Sequence, residues 1–180
     1  MRVISGDYRG LKLCSPEGIE TRPTLDRVKE AVFNMLMPYV IDADVLDIFA
    51  GSGAMGIEAL SRGSRKAIFV DNNKNAIECI RKNVVSAKAG DRAIIDQCDA
   101  LKFLQSCNDK YDLIFLDPPY FEGLYNSVLD LIEKNDILNE NGLIIVEWDY
   151  ENGFTDNTGH FQVVKEKKYG RVGITVLNRG

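Results

Sequence analysis

Short apolar runs, each ending on an acid or a glycine, recur along this chain with amphipathic stretches between them. Residues 45–49, Val-Leu-Asp-Ile-Phe, are mostly apolar and meet Gly51 almost at once, the pattern of a buried strand entering a tight turn. A helix is expected from about Ala54. The rhythm then repeats in 67–70 before Asp71, 93–95 before Asp99 and 112–116 before Asp117, with helical stretches between that include 76–87 and 124–133. Strands alternating with helices predict a parallel sheet covered on both faces.

The two ends depart from that rhythm. Residues 143–146 supply a fifth strand, but 149–159, rich in Asn, Asp and Gly, holds no helical pattern. Residues 161–166 and 172–177, around Tyr169-Gly170-Arg171, read as an antiparallel hairpin closing the sheet edge. At the front, Val3-Ile4 and 11–13 flank Gly6-Asp7 as a small hairpin. Thr24 reads as an N-cap, and Leu25, Val28, Val32, Met35 and Leu36 line one face of a helix that Pro38 ends. The expected architecture is a single doubly wound, Rossmann-like α/β domain over 1–180 with a mostly parallel seven-stranded sheet. A hairpin–helix appendage occupies 1–40 and the core 41–180.

Composition agrees with one domain, since 180 residues at 45% hydrophobic can bury a sizeable core but leave no room for a second. No apolar run approaches the ~20 residues of a membrane span, and the first residues lack the apolar stretch of a signal peptide, so a cytoplasmic protein without membrane attachment is expected. Cys14, Cys79, Cys98 and Cys107 are dispersed and His160 is the sole histidine. That pattern argues against a metal site, and all four cysteines are expected as buried thiols. A net charge of -5 excludes a protein that holds nucleic acid by bulk charge alone, yet the charge is uneven. Residues 93–160 carry 14 acids against 3 bases, whereas 61–92 carry 8 bases against 3 acids and 161–180 carry 5 bases against 1 acid.

Gly51-Ser52-Gly53-Ala54-Met55-Gly56 fits G-x-G-x-x-G directly after a strand, and Asp71 stands 20 residues beyond Gly51. Such glycines permit the turn and a close backbone approach, N–H groups at the helix start can face a ligand, and the later acid can accept ribose hydroxyls. Gly51, Ser52, Gly53, Asp71 and the adjoining Asn72 are therefore candidate nucleotide-binding residues. The motif alone fits a dinucleotide as well. Asp117-Pro118-Pro119-Tyr120 ends the fourth core strand, so Gly51, Asp71, Asp99 and Asp117 all fall at strand ends and should share one rim.

That tetrapeptide suits methylation of an exocyclic base amine. The amine lone pair is delocalised into the ring, and attack on a sulfonium methyl leaves positive charge on nitrogen. The Asp117 carboxylate and a carbonyl fixed at Pro118 can accept both N–H groups, aim the lone pair and stabilise the developing cation. Tyr120 offers a ring on which a flipped base can stack. Asp99 can also simply cap a helix starting at Ala100, and His160 is expected to be structural.

Nearly the whole chain resembles the bacterial small-subunit rRNA guanine-N2 methyltransferases of the RsmD type. The residues that carry the resemblance are Arg2-Val3-Ile4-Ser5-Gly6 with Arg9-Gly10, the segment from Thr21-Arg22-Pro23-Thr24 through Asn34, Asp47 through Gly53, Asp117-Pro118-Pro119-Tyr120, and Lys168-Tyr169-Gly170. The resemblance implies a class I methyltransferase fold, S-adenosylmethionine as cofactor, and a guanine of 16S rRNA in an assembling small subunit as target. It further implies that Asp47 orients the methionine amino group, that Asp99 and Ala100 hold the adenine, and that Arg22, Pro23 and Thr24 close over the methionine. Arg22, Arg27, Tyr120, Lys168 and Arg171 would then face the RNA, and the enzyme would act as a monomer. The acidic balance is unusual for an RNA enzyme and favours a substrate presented with ribosomal proteins. An adenine-N6 methyltransferase uses the same tetrapeptide, a dinucleotide oxidoreductase the same glycine loop, and an assembly factor could keep the fold without the reaction.

Overall fold

The computed structural model describes residues 1–16, 23–119, 124–151 and 158–180, with the backbone alone at 23–25. In chain order the elements are α1 (Pro23–Val40), β1 (Asp44–Ile48), α2 (Ala54–Ser61), β2 (Lys66–Asp71), α3 (Lys74–Ser86), β3 (Ala93–Gln97), α4 (Ala100–Ser106), β4 (Tyr111–Leu116), α5 (Leu124–Lys134), β5 (Leu138–Asp149), β6 (Gln162–Tyr169) and β7 (Val172–Asn178). They build one seven-stranded sheet in the order β3-β2-β1-β4-β5-β7-β6. The strands from β3 to β5 in that order run parallel, while β7 is antiparallel to both β5 and β6. The chain steps outward from β1 to β3 and then returns to the other side with β4, so the order reverses between β1 and β4. Open sheets of this kind leave a crevice at that reversal, beyond the carboxyl ends of the strands.

The two-residue alternation of strand side chains divides the core into two layers. Val45, Phe69, Leu113, Phe115 and Ile145 face α1, α2 and α3, where they meet Val28, Val32, Phe33, Ile57 and Ile80. Leu46, Ile48, Ile114, Leu116 and Val146 face α4 and α5, against Leu104, Val128 and Ile132. Because β1 is covered on both sides, every one of its residues is buried.

The N-terminal hairpin closes through Val3 N–H to Leu11 O (2.9 Å) and Leu13 N–H to Met1 O (3.0 Å). It is clamped onto α2. Glu58 is fully buried, accepts the Ile4 and Ser5 N–H groups at 2.9 and 3.0 Å, and pairs with Lys29 at 3.1 Å and Arg62 at 2.8 Å. Lys29 Nζ also donates to Arg2 O at 2.6 Å. Gly6 turns with φ +81° against the end of the same helix, where a Cβ would stand 1.8 Å from Ser61 O.

Four details differ from the sequence-based expectation. Helix α1 runs through Pro38 to Val40. A proline forfeits one hydrogen bond, and here it does so in the last turn, where the buried Val40 still anchors the chain. Helix α1 also starts at Pro23, whose fixed φ suits a first helical position, so Thr24 lies inside the first turn and is not its cap. Strand β5 begins at Leu138, five residues before the apolar run, because Leu138 pairs with Tyr111 of β4; the polar Asn-Glu-Asn-Gly segment after it spans a register shift, with Asn139 Nδ2 on Asp112 Oδ1. Finally, Cys14 and Cys79 are paired as a disulfide with Cα atoms 6.0 Å apart, while Cys98 and Cys107 are free thiols. Sequence spacing gave no hint of that pair, since 65 residues separate the two cysteines and only the docking of the hairpin on α3 joins them.

Candidate active site

The crevice opens at the expected place as a cavity of about 220 Å³ between α1, the hairpin and the carboxyl ends of β1, β4 and β5. Met1, Val28 and Val32 form one wall. Ala50, Gly51 and Ser52 form the opposite one, and Asp47, Asp117 and Glu147 stand between them.

The glycine loop is built by a series of left-handed residues, Phe49 (φ 62°), Gly51 (φ 55°) and Gly53 (φ 72°), which swing the chain from β1 into α2. Their roles differ. A Cβ at Gly53 would press on Ile80 and Phe69 at 3.2 Å, and one at Gly56 would lie 2.3 Å from Phe69, so these glycines let α2 sit close on the sheet. A Cβ at Gly51 would meet nothing within 4 Å and would project into open space. Close packing therefore demands two of the glycines, and the left-handed turn at the cavity wall demands Gly51.

Asp71 ties the glycine loop to the β2–α3 turn. Asp71 Oδ2 accepts Gly51 N–H at 2.8 Å, and its Oδ1 accepts Asn73 N–H at 2.8 Å. Each oxygen keeps a further lone pair for a ligand. Asp47 Oδ2 accepts Gly56 N–H at 2.9 Å. Burial pushes the Asp47 carboxyl up to about 8, against the pull of that bond and with a smaller push from Asp117 and Asp71. A buried acid so far from its ordinary value fits a ligand ammonium better than any neutral group.

Strand alternation explains which acids converge. Asp47 is level with Phe115 on β4, and Phe115 with Ile145 on β5; just past the last β4–β5 pair, Leu116 with Val146, Asp117 and Glu147 come to the same cavity. Asp117 opens to solvent at the mouth of the crevice, while the surrounding protein pushes its carboxyl up to about 6. Glu147 is half-buried and rises to about 8, through desolvation first and the charge of Asp117 second. Lys29, a cation lining this cavity, is held on Glu58 and Arg2 O, and its burial lowers its pKa.

The remaining candidates are spread along the rim. Asp99 caps α4 by accepting Lys102 N–H at 3.1 Å, and Ala100 behind it is buried. Asn72 is exposed in the β2–α3 turn, where Asn73 is the cap of α3. Pro118 is buried beside Asp117. Arg22 and Tyr120, and the side chain of Thr24, lie outside the described residues. Arg27 does not reach the cavity. It lines a neighbouring groove of about 530 Å³ with Arg2, Arg9, Asp26 and Glu30. Lys168 and Arg171 come to the β5 end of the rim, since Tyr150 N–H bonds Arg171 O at 2.8 Å, but both are engaged. Arg171 pairs with Asp149 at 3.4 Å and Glu151 at 3.0 Å, and Lys168 Nζ sits 3.6 Å from the centre of the Tyr150 ring, which stacks on Trp148. The Trp148 indole N–H is fixed on Thr175 Oγ1 at 3.0 Å.

Glu147, Lys29 and Glu58 were not legible as site or support residues from motifs. Glu147 follows Leu143 and Ile145 at two-residue spacing, so continuing the strand past its apolar run would have found it. Nothing local marks the other two. Among the described residues, no group of His, Cys, Asp and Glu could hold a metal ion, and no helix is long and apolar enough to cross a membrane.

The family profile described as conserved hypothetical protein 95 matches residues 1–178. The ribosomal RNA small subunit methyltransferase D of Escherichia coli K12 is 37% identical over 179 residues, covering 99% of this chain and 90% of that protein. Its counterpart in Haemophilus influenzae is 37% identical over 177 residues, 96% of this chain and 90% of that one. A solved Escherichia coli structure, a candidate methyltransferase named yhhF, superposes with a TM-score of 0.89 at 38% identity, covering 99% of this chain and 97% of its own.

Proposed function

Since the chain belongs to the conserved hypothetical protein 95 family, that of the RsmD-type small-subunit rRNA methyltransferases, we propose that it methylates the exocyclic N2 amine of a guanine in 16S rRNA, with S-adenosylmethionine as donor. The observation that carries the reading is the Asp117 carboxylate, set without a hydrogen-bond partner among the described residues at the mouth of the cavity beside the glycine loop. An acceptor in that place meets the need of an amine that becomes cationic as it reacts.

The cavity suits the donor on the structure's own terms. The wall at Gly51 is bare, Asp47 is a buried acid awaiting a positive partner, and Asp71 keeps lone pairs free toward the loop. Asp47 and the loop would hold the methionine part, Asp71 with Asn72 the ribose, and Asp99 with Ala100 the adenine. S-adenosylmethionine supplies an electrophilic methyl group. The chain's own contribution is orientation: Asp117 and the Pro118 carbonyl fix the two amine hydrogens so that the lone pair points into the cavity. Tyr120 would stack the base, and Thr24 with Arg22 would cover the donor.

The charge balance of the chain supports the substrate class. An acidic chain with only patches of base suits RNA presented by an assembling subunit, which the enzyme would visit as a cytoplasmic monomer. Mass spectrometry of 16S rRNA from cells lacking the protein should show one N2-methylguanosine missing, restored by the wild-type gene. An unchanged set of methylated guanosines would overturn the proposal.

A further inference from the structure

We propose that Glu147 reads the N1–H of the target guanine and so selects guanine over adenine. The inference rests on the guanine-N2 reading above and adds to it a residue that discriminates between bases, which the Asp-Pro-Pro-Tyr segment cannot do.

Glu147 on β5 and Asp117, directly after β4, follow the paired residues Val146 and Leu116 of these adjacent parallel strands and line one cavity. Neither carboxylate has a hydrogen-bond donor among the described residues. Lys29, which could neutralise them, is committed to Glu58 and to a backbone carbonyl. Two half-sheltered acceptors therefore face a space that must hold a base. Carboxylates taken from water are costly unless donors replace the water.

The edge of guanine is a match in kind. Its N2 amine and the adjacent N1–H form a continuous row of donors, which two neighbouring carboxylates can accept together. Adenine places an acceptor, N1, beside its N6 amine. Set against the ionised Glu147 that prevails above about pH 8, that nitrogen would oppose an acceptor with an acceptor. With the target amine on Asp117, the second carboxylate falls beside the ring position where the two bases differ in hydrogen-bonding sense. The β5 strand fixes its place, because Val146 and Trp148 on either side are buried on the other face and Tyr125 Oη holds the Glu147 carbonyl at 3.1 Å.

The test uses a base that keeps the N2 amine but lacks the N1 hydrogen. Once the target guanosine has been located, small subunits are assembled on 16S rRNA carrying either guanosine or 2-aminopurine riboside at that position. At about pH 8.5, where Glu147 is mostly ionised, wild-type enzyme should prefer guanosine by about a hundredfold or more in kcat/KM, as sites built around a substrate N–H do. Glu147→Gln can donate its amide N–H to the acceptor N1 of 2-aminopurine, so the preference should narrow to below about tenfold, with S-adenosylhomocysteine affinity unchanged. Equal use of the two bases by wild type, a comparison that stands whether or not the variant folds, overturns the inference; so does a folded Glu147→Gln enzyme that keeps the wild-type preference. If wild type leaves guanosine subunits unmethylated in this assay, it is the guanine-N2 reading itself that fails.

Discussion

A carboxylate that accepts hydrogens from an amine must be ionised, and at Asp117 the surrounding protein works against ionisation. With its carboxyl raised to about 6, the acceptor form is lost as pH falls through that value, so the single-turnover rate should drop about tenfold per pH unit below it. Asp117→Asn should flatten this limb. At neutral pH Asp117→Ala should lower kcat about a hundredfold or more, with Asp117→Asn between it and wild type and donor affinity little changed in either. Single-turnover rates on assembled subunits would measure all three, and an alanine variant with near wild-type chemistry would remove Asp117 from the mechanism. Asp47 carries the opposite lesson, about stability. Its folded pKa of about 8 lies above its unfolded value, so the stability it contributes is complete below about pH 4 and is lost as pH rises to 8. The melting temperature of the ligand-free protein should therefore fall less over that range in Asp47→Asn than in wild type.

Among the elements, the loop from β1 to α2 depends on acids outside it. Because Asp71 both holds Gly51 N–H and faces the space assigned to the ribose, Asp71→Ala should weaken donor binding by roughly 1.5 to 3 kcal/mol, measurable by calorimetry with S-adenosylhomocysteine. The hairpin and α1 depend likewise on Glu58, and Glu58→Ala, which strands Lys29 in the interior, should cost about 3 to 5 kcal/mol in denaturant unfolding. A loss under 1 kcal/mol would mean that water replaces the carboxylate. These two supports mark the limit of what the sequence makes legible. The parallel strands show as apolar runs, and Asp47, Asp71 and Asp117 show because each sits on a strand or ends one. Glu58, Lys29 and the Cys14–Cys79 pair are invisible, since each gains its meaning from a partner dozens of residues away. The start of β5 is hidden for a different reason: Leu138 alone pairs with β4 before a register shift, and the polar Asn-Glu-Asn-Gly segment cuts it off from the apolar run.

At the scale of the molecule, the basic residues on the rim are unequal. Arg27 lies exposed over its groove, whereas Arg171 is already neutralised by Asp149 and Glu151. Arg27→Ala should raise KM for subunits more than Arg171→Ala does, and wild-type KM should rise with salt as phosphate contacts are screened. Equal effects of the two substitutions, with no salt dependence, would show both to be solvated surface. The same rim supplies its own reporter. Trp148, the sole tryptophan, is next to Glu147 in the chain and stacks on the half-exposed Tyr150, over which Lys168 sits. An RNA that drew Lys168 toward a phosphate would change the surroundings of a single intrinsic fluorophore, so the docking step could be followed in real time by stopped-flow emission, without a label and separately from methyl transfer.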